Sequence, residues 1–253
     1  MKRYTWQIIL GISLIALSAG LYIVQVILFH DTRDTFFYLL QDIAFIPIQV
    51  LLVTLILNQL LNVREKQAMM NKMNMVIGAF FSEVGTDLLK LIAPCNRNAD
   101  ALNRQLLVNG HWSDQQFAKA SRNIMGYDFS IVHDYADLRT LKAFLAGKRG
   151  FLLGLLENAN LLEHETFTDL LWSVFHLTEE LTIREDVTHL TPADGNHLAG
   201  DMKRAYLLLI TEWLAYMRHL KHEYPYLFSL AVRMNPYDAN ASVVIQESTS
   251  GGN

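Results

Sequence analysis

Two long apolar runs dominate the first quarter of the chain, and the remainder alternates apolar and polar positions at helical spacing. Residues 4–29 contain no charged side chain. At about 1.5 Å rise per residue they can cross a hydrocarbon core of roughly 30 Å. The polar stretch His30–Thr35 is short, and a second apolar run follows from Phe36 to Leu61. The pattern predicts an antiparallel two-helix transmembrane hairpin with spans at about 4–29 and 36–61. A signal peptide would have a shorter apolar core, so the first run is expected to be retained.

Basic residues set the orientation. Lys2 and Arg3 precede the first run, while Arg64, Lys66 and Lys72 follow the second, and the connector holds only Arg33. Positive charge stays on the cytoplasmic side, which places both termini in the cytoplasm and the chain, as a multi-pass protein, in the cell inner membrane.

The second run carries Gln41, Asp42, Pro47 and Gln49. Asp42 is separated from Arg64 by uncharged residues only, so it can sit at the outer edge of the hydrocarbon, where an aspartate avoids the cost of the bilayer centre. Two readings follow. Gln25 of the first run, at similar depth, can bond Asp42 and pin the hairpin. Alternatively Asp42 and Gln49, seven positions apart on one helix face, line a pore in a symmetric oligomer. Pro47 frees a backbone acceptor and suits either. Small residues in the first run, Gly11, Ser13, Ser18, Ala19 and Gly20, allow close helix approach and self-association.

From Arg64 the pattern predicts an all-α cytosolic domain. One long helix runs to Pro94, bent near Gly78 or Gly85, with an apolar stripe from Val76 to Leu91. Ser113 with Gln116 reads as a capping box. Helices are expected at Asp128–Ala146, ended by Gly147, then at Phe151–Glu157 and Glu163–Arg184. A polar loop through Pro192 and Gly195 precedes a helix from about Leu198 to His222. Pro225 ends it, and a last apolar piece follows. Three parts result: residues 1–62 as hairpin, 63–235 as helical domain with a long juxtamembrane helix, and 236–253 as a disordered tail in which VVIQ at Val243 is the sole plausible strand.

Composition narrows the function. Of 253 residues, 51% are hydrophobic and 18% charged, which fits one membrane module plus one polar domain. Three of the 21 basic and three of the 25 acidic side chains precede Arg64, so the formal charge of −4 belongs to the helical domain. With no basic run interleaved with aromatics, nucleic acid is excluded as a partner. Cys95 is the single cysteine, which excludes an intrachain disulfide and a cysteine-based zinc site.

The histidines and methionines are the residues that offer chemistry. Met69, Met70, Met73 and Met75 offer thioethers that suit copper(I), although adaptable packing explains them as well. No Glu-x-x-His, His-Glu-x-x-His, G-x-S-x-G, P-loop or G-x-G-x-x-G occurs. Asp-x-x-His occurs at Asp186/His189 and Asp194/His197, both expected in the loop rather than on facing helices. His176 with Glu179 and Glu180, and with Trp172 one turn earlier, reads as a satisfied structural histidine or, alternatively, as a buried histidine–carboxylate pair tuning a proton. His219, His222 and Glu223 share a helix end and are the metal candidates. No catalytic residue and no cofactor is assigned. The expected function is therefore that of a membrane-anchored, homo-oligomeric helical protein acting through cytosolic protein contacts as scaffold, sensor or regulator, with membrane lipid, itself and an unknown protein as partners. The alternatives are a homo-oligomeric ion channel lined by the second span, and a metal-dependent or redox protein using the cytosolic histidines.

Overall fold

The computed structural model describes residues 2–29, 32–132, 135–158, 161 and 164–244. Among these the secondary structure is helical, with one isolated antiparallel bridge between Asn96 and Ile131. The chain divides into two units, Met1–Gln67 and Ala68–Asn253.

The first unit contains α1 (Lys2–Phe29) and the greater part of α2 (Thr32–Phe80). α2 begins inside the stretch expected to be a polar connector; His30 and Asp31 lie outside the described residues. Pro47 sits within α2 without ending it. Among the described residues one segment, Phe36–Lys66, is long and apolar enough to cross a membrane: it has 31 residues, and its most apolar window has mean hydropathy 2.1 with none of it buried. α1 contributes the shorter apolar stretch Ile12–Ile27, and the side chains at positions 1–11 lie outside the described ones. Tyr22 Oη donates to Asp42 Oδ2 at 3.0 Å.

The second unit holds the core. α2 passes at Phe81 into a π-helical turn, Phe81–Gly85, then into α3 (Thr86–Ile92) and a 3₁₀ turn, Ala93–Cys95. The expected bend is thus a π turn ending at Gly85. The small residue is required by crowding: a Cβ there would lie 2.5 Å from Phe81 Cδ1 and 2.8 Å from Phe80 Cε1. Phe80, Phe81, Val84, Leu88, Leu89 and Ile92 are buried from this segment. Met73 joins the core while Met75 is exposed, so the methionine cluster does not converge on one sulfur site.

α4 (Ala99–Gln105) and α5 (Asp114–Met125) follow. The expected capping box is present at α5: Ser113 Oγ accepts from Gln116 N–H, and Gln116 Oε1 accepts from Ser113 N–H at 2.7 Å. Ser113→Ala is expected to cost about 1 kcal/mol, read as a lower urea midpoint.

α6 (Tyr135–Leu156) runs straight through Gly147 and Gly150, where a break was expected. Leu138, Leu141, Leu145 and Leu152 are buried along it, and that burial outweighs the roughly 1 kcal/mol of helix propensity each glycine costs. α7 (Glu165–Ile183), α8 (Pro192–Glu223) and α9 (Pro225–Arg233) complete the unit; Glu163 lies outside the described residues. α8 is the central helix and packs against α7, α5, α9 and α3. Residues 236–244, expected to begin a disordered tail, fold back. Tyr237 is buried with its ring 5.3 Å from that of Trp213, and Asn235 Nδ2 donates to Leu106 O at 2.9 Å. Val243 and Val244, the first half of the suggested VVIQ strand, form a bend, and residues 245–253 lie outside the described ones.

Cys95 is buried with its thiol 3.7 Å from Leu91 O, and burial pushes the thiol up to about 11. At pH 8 a thiol reagent is expected to modify the folded protein at least about 100-fold more slowly than the urea-denatured chain, as the smaller thiolate fraction requires.

Candidate metal centre

The register of α7 and α8 assembles the one multidentate His/carboxylate cluster found among the described residues. α8 starts at Pro192, six residues before the expected Leu198. Thr191 Oγ1 accepts from Asp194 N–H at 3.3 Å, and proline occupies the first helical position, where its missing N–H costs nothing. His197, expected in the loop, therefore lies on α8 one turn before Asp201. Across the groove His176 and Glu180 are spaced in the same way on α7. The helices run antiparallel, since Arg184 meets Asp194, Glu180 meets His197 and His176 meets Asp201.

Asp201 Oδ2 is the hub. It lies 3.4 Å from His176 Nε2 and 3.3 Å from His197 Nε2. Glu180 closes the ring, Oε2 at 3.6 Å from His197 Nε2 and Oε1 at 4.0 Å from His176 Nε2. Asp201 is only 3% exposed, yet Oδ2 has no hydrogen-bond partner. The two imidazole nitrogens sit close without directing an N–H along the line to it. Burying a carboxylate oxygen without a bond costs several kcal/mol, and a cation among the three atoms removes that cost. The two histidine-to-Asp201 distances suit one: with metal–ligand bonds of about 2.1 Å, the edges of a tetrahedron are about 3.4 Å.

Arginines hold the carboxylates from outside. Arg184 donates to Glu180 Oε2 at 2.6 Å, to the Glu180 carbonyl and to Asp194 at 2.7 and 3.2 Å. Its hydrogen bonds keep both carboxyls below their ordinary range, partly opposed by desolvation. Arg204 Nη1 lies 3.4 Å from Asp201 Oδ1. Such outer partners fix the orientation of metal-binding carboxylates. Both histidine side chains are about half exposed, so the centre stands at the edge of the groove.

The residues singled out from sequence are distributed differently. Glu179 pairs with Arg149 at 2.6 Å rather than with His176, and Trp172 is exposed, edge-on to Phe175. His219, His222 and Glu223 line one cleft of about 390 Å³ with Asn74, Glu212 and Tyr216. They do not converge as ligands: His219 Nδ1 accepts from Asn74 Nδ2 at 3.2 Å, and His222 Nε2 donates to Asp114 Oδ1 at 2.9 Å. Burial, the largest influence, lowers the His219 pKa, while His222 and Arg218 together hold Asp114 down to about 2. Asp186 and His189 bond each other at 2.8 Å on an exposed turn. In the first unit Asp42 takes its hydrogen bond from Tyr22, not Gln25, and Gln49 is exposed on α2. Sequence reasoning missed His197 and Asp201 as a pair. The available signal was His-x-x-x-Glu followed by His-x-x-x-Asp, with Thr-Pro-x-Asp marking the second helix start.

Two family models match the chain: the C-terminal helical domain of Uncharacterized protein MJ1433 over residues 69–233, and the MJ1433 N-terminal helical domain over residues 2–61. The chain belongs to the MJ1433 family. Uncharacterized protein MJ1433 of Methanocaldococcus jannaschii is 43% identical over 246 residues, covering 97% of this chain and 98% of that protein. No solved structure matches it. The α7–α8 groove lies within the C-terminal match, and the apolar segment of α2 begins within the N-terminal one.

Proposed function

We propose that this protein is a membrane-tethered metalloprotein whose helical domain holds one divalent transition metal between α7 and α8. The observation that carries the reading is Asp201 Oδ2, buried, without a hydrogen bond, and 3.3–3.4 Å from two imidazole nitrogens. His176, His197 and Asp201 are the ligands, and Glu180 is the fourth within reach. Two imidazoles with carboxylates suit zinc or iron(II). The metal-dependent alternative stands above contact-mediated scaffolding and above a channel because a described geometry supports it.

The unburied apolar segment Phe36–Lys66 supports the tether. α1 forms the second leg of a hairpin, a placement favoured by the Tyr22–Asp42 hydrogen bond. Both termini and the helical domain lie in the cytoplasm, in keeping with the basic residues that flank the hairpin.

The test uses full-length protein made without a histidine tag and extracted from membranes in mild detergent. Elemental analysis should find about one equivalent of zinc or iron per chain, and His197→Ala should remove it. Protein that stays empty after exposure to zinc, iron(II) and cobalt(II) would overturn the centre. Full-length chain recovered outside the membrane fraction would overturn the tether.

A further inference from the structure

A cleft adjoins the metal cluster, sharing His176 with it and lined also by Arg204, which meets Asp201. Its volume is about 430 Å³, within the size range of ordinary ligand sites, and it is lined by Asp169, Trp172, Ser173, His176, Arg204 and Leu208. His176 belongs to both cluster and cleft. On α7 the other lining residues step away from it by one and two turns; on α8 Arg204 and Leu208 do the same from Asp201. The floor therefore runs about 10 Å from the cluster to Asp169.

Charge and surface differ along that length. At the cluster end, a divalent ion with Arg184 and Arg204 outweighs Asp201, Glu180 and Asp194 by one positive charge. Arg204 meets Asp201 through Nη1 at 3.4 Å, its side chain is 62% exposed, and it makes no other ion pair or hydrogen bond among the described residues. A planar guanidinium with free N–H groups binds oxyanions in two-pronged fashion. Trp172, 56% exposed, and Leu208 supply an apolar wall. Asp169 places a negative charge at the far end.

We infer that the centre takes a small organic oxyanion as its ligand, with the anionic head between the metal and Arg204 and the carbon body against Trp172. This rests on the metal reading above. The full chain in detergent, loaded with cobalt(II), is titrated separately with acetate, oxalate and phosphate while the visible cobalt bands are followed. Acetate or oxalate should shift the bands saturably, and a response to phosphate alone overturns the organic ligand. Arg204→Gln, with cobalt still bound and helical content unchanged, should raise the apparent Kd by about tenfold or more, the cost of a lost charge-assisted hydrogen bond. A loaded centre whose bands ignore all three anions, or respond equally in Arg204→Gln, overturns the inference alone. A chain that binds no cobalt overturns the metal reading, and this inference with it.

Discussion

Asp201→Asn is expected to lower metal affinity by more than about 100-fold, because it removes a charged ligand whereas loss of a mere outer partner already costs 10–100-fold. The substitution keeps volume and shape, so packing is little disturbed. Its effect on stability should depend on the metal. In the metal-free protein, asparagine replaces a buried charge whose Oδ2 has no hydrogen bond, and thermal stability should hold or rise. With metal present, the wild-type chain gains RT ln(1 + [M]/Kd), about 4 kcal/mol at a thousandfold excess over Kd, and the variant gains almost none of it. Melting curves of both proteins, with chelator and with zinc, make the comparison. If Asp201 were simply an ion-pair partner of His176 and His197, the variant would melt lower under both conditions.

Phe80→Ala is expected to be the most destabilising single truncation, at about 3–5 kcal/mol. Phe80 is fully buried, its ring edge-on to Phe81 at 5.3 Å and to Phe167 at 5.4 Å. It joins the end of α2 to α7, and Gly85 is crowded against the same rings. A cavity there cannot close without moving the π turn. A loss of this size is a large part of the 5–15 kcal/mol that holds a typical domain together. The shift in urea midpoint, followed by near-ultraviolet circular dichroism, gives the measurement; a change under 1 kcal/mol would mean that the aromatic cluster repacks.

The parts of this architecture legible from sequence were those fixed by local chemistry. The α5 capping box depends on Ser113 and Gln116 alone, and the structure has it. Helix content was readable from apolar spacing, because buried stripes such as Phe167, Leu170, Leu171 and Val174 are periodic within one element. α6 was misdivided because glycine propensity was weighed without knowledge of how much leucine surface the fold would cover. The start of α8 was misplaced by reading Pro192 and Gly195 as loop residues, although Thr191–Pro192 is a helix-start pair. That shift hid the centre: His197 and Asp201 become ligands only on a helix, and only opposite His176 and Glu180. Each pair is visible locally as an i, i+4 spacing, but the facing of the two pairs is a matter of register between two helices. His219 and His222 showed the opposite error: close in sequence, they are drawn apart by Asn74 on α2 and Asp114 on α5.

The hairpin of α7 and α8 has a consequence for assembly. All four candidate ligands fall between His176 and Asp201, joined by the short connection Arg184–Thr191. Contacts so near in sequence form early in folding, because little chain entropy is lost in closing the loop. During synthesis the binding groove can thus close while the end of α8 and α9 are still emerging, and an ion captured then would nucleate the remaining packing rather than wait for it.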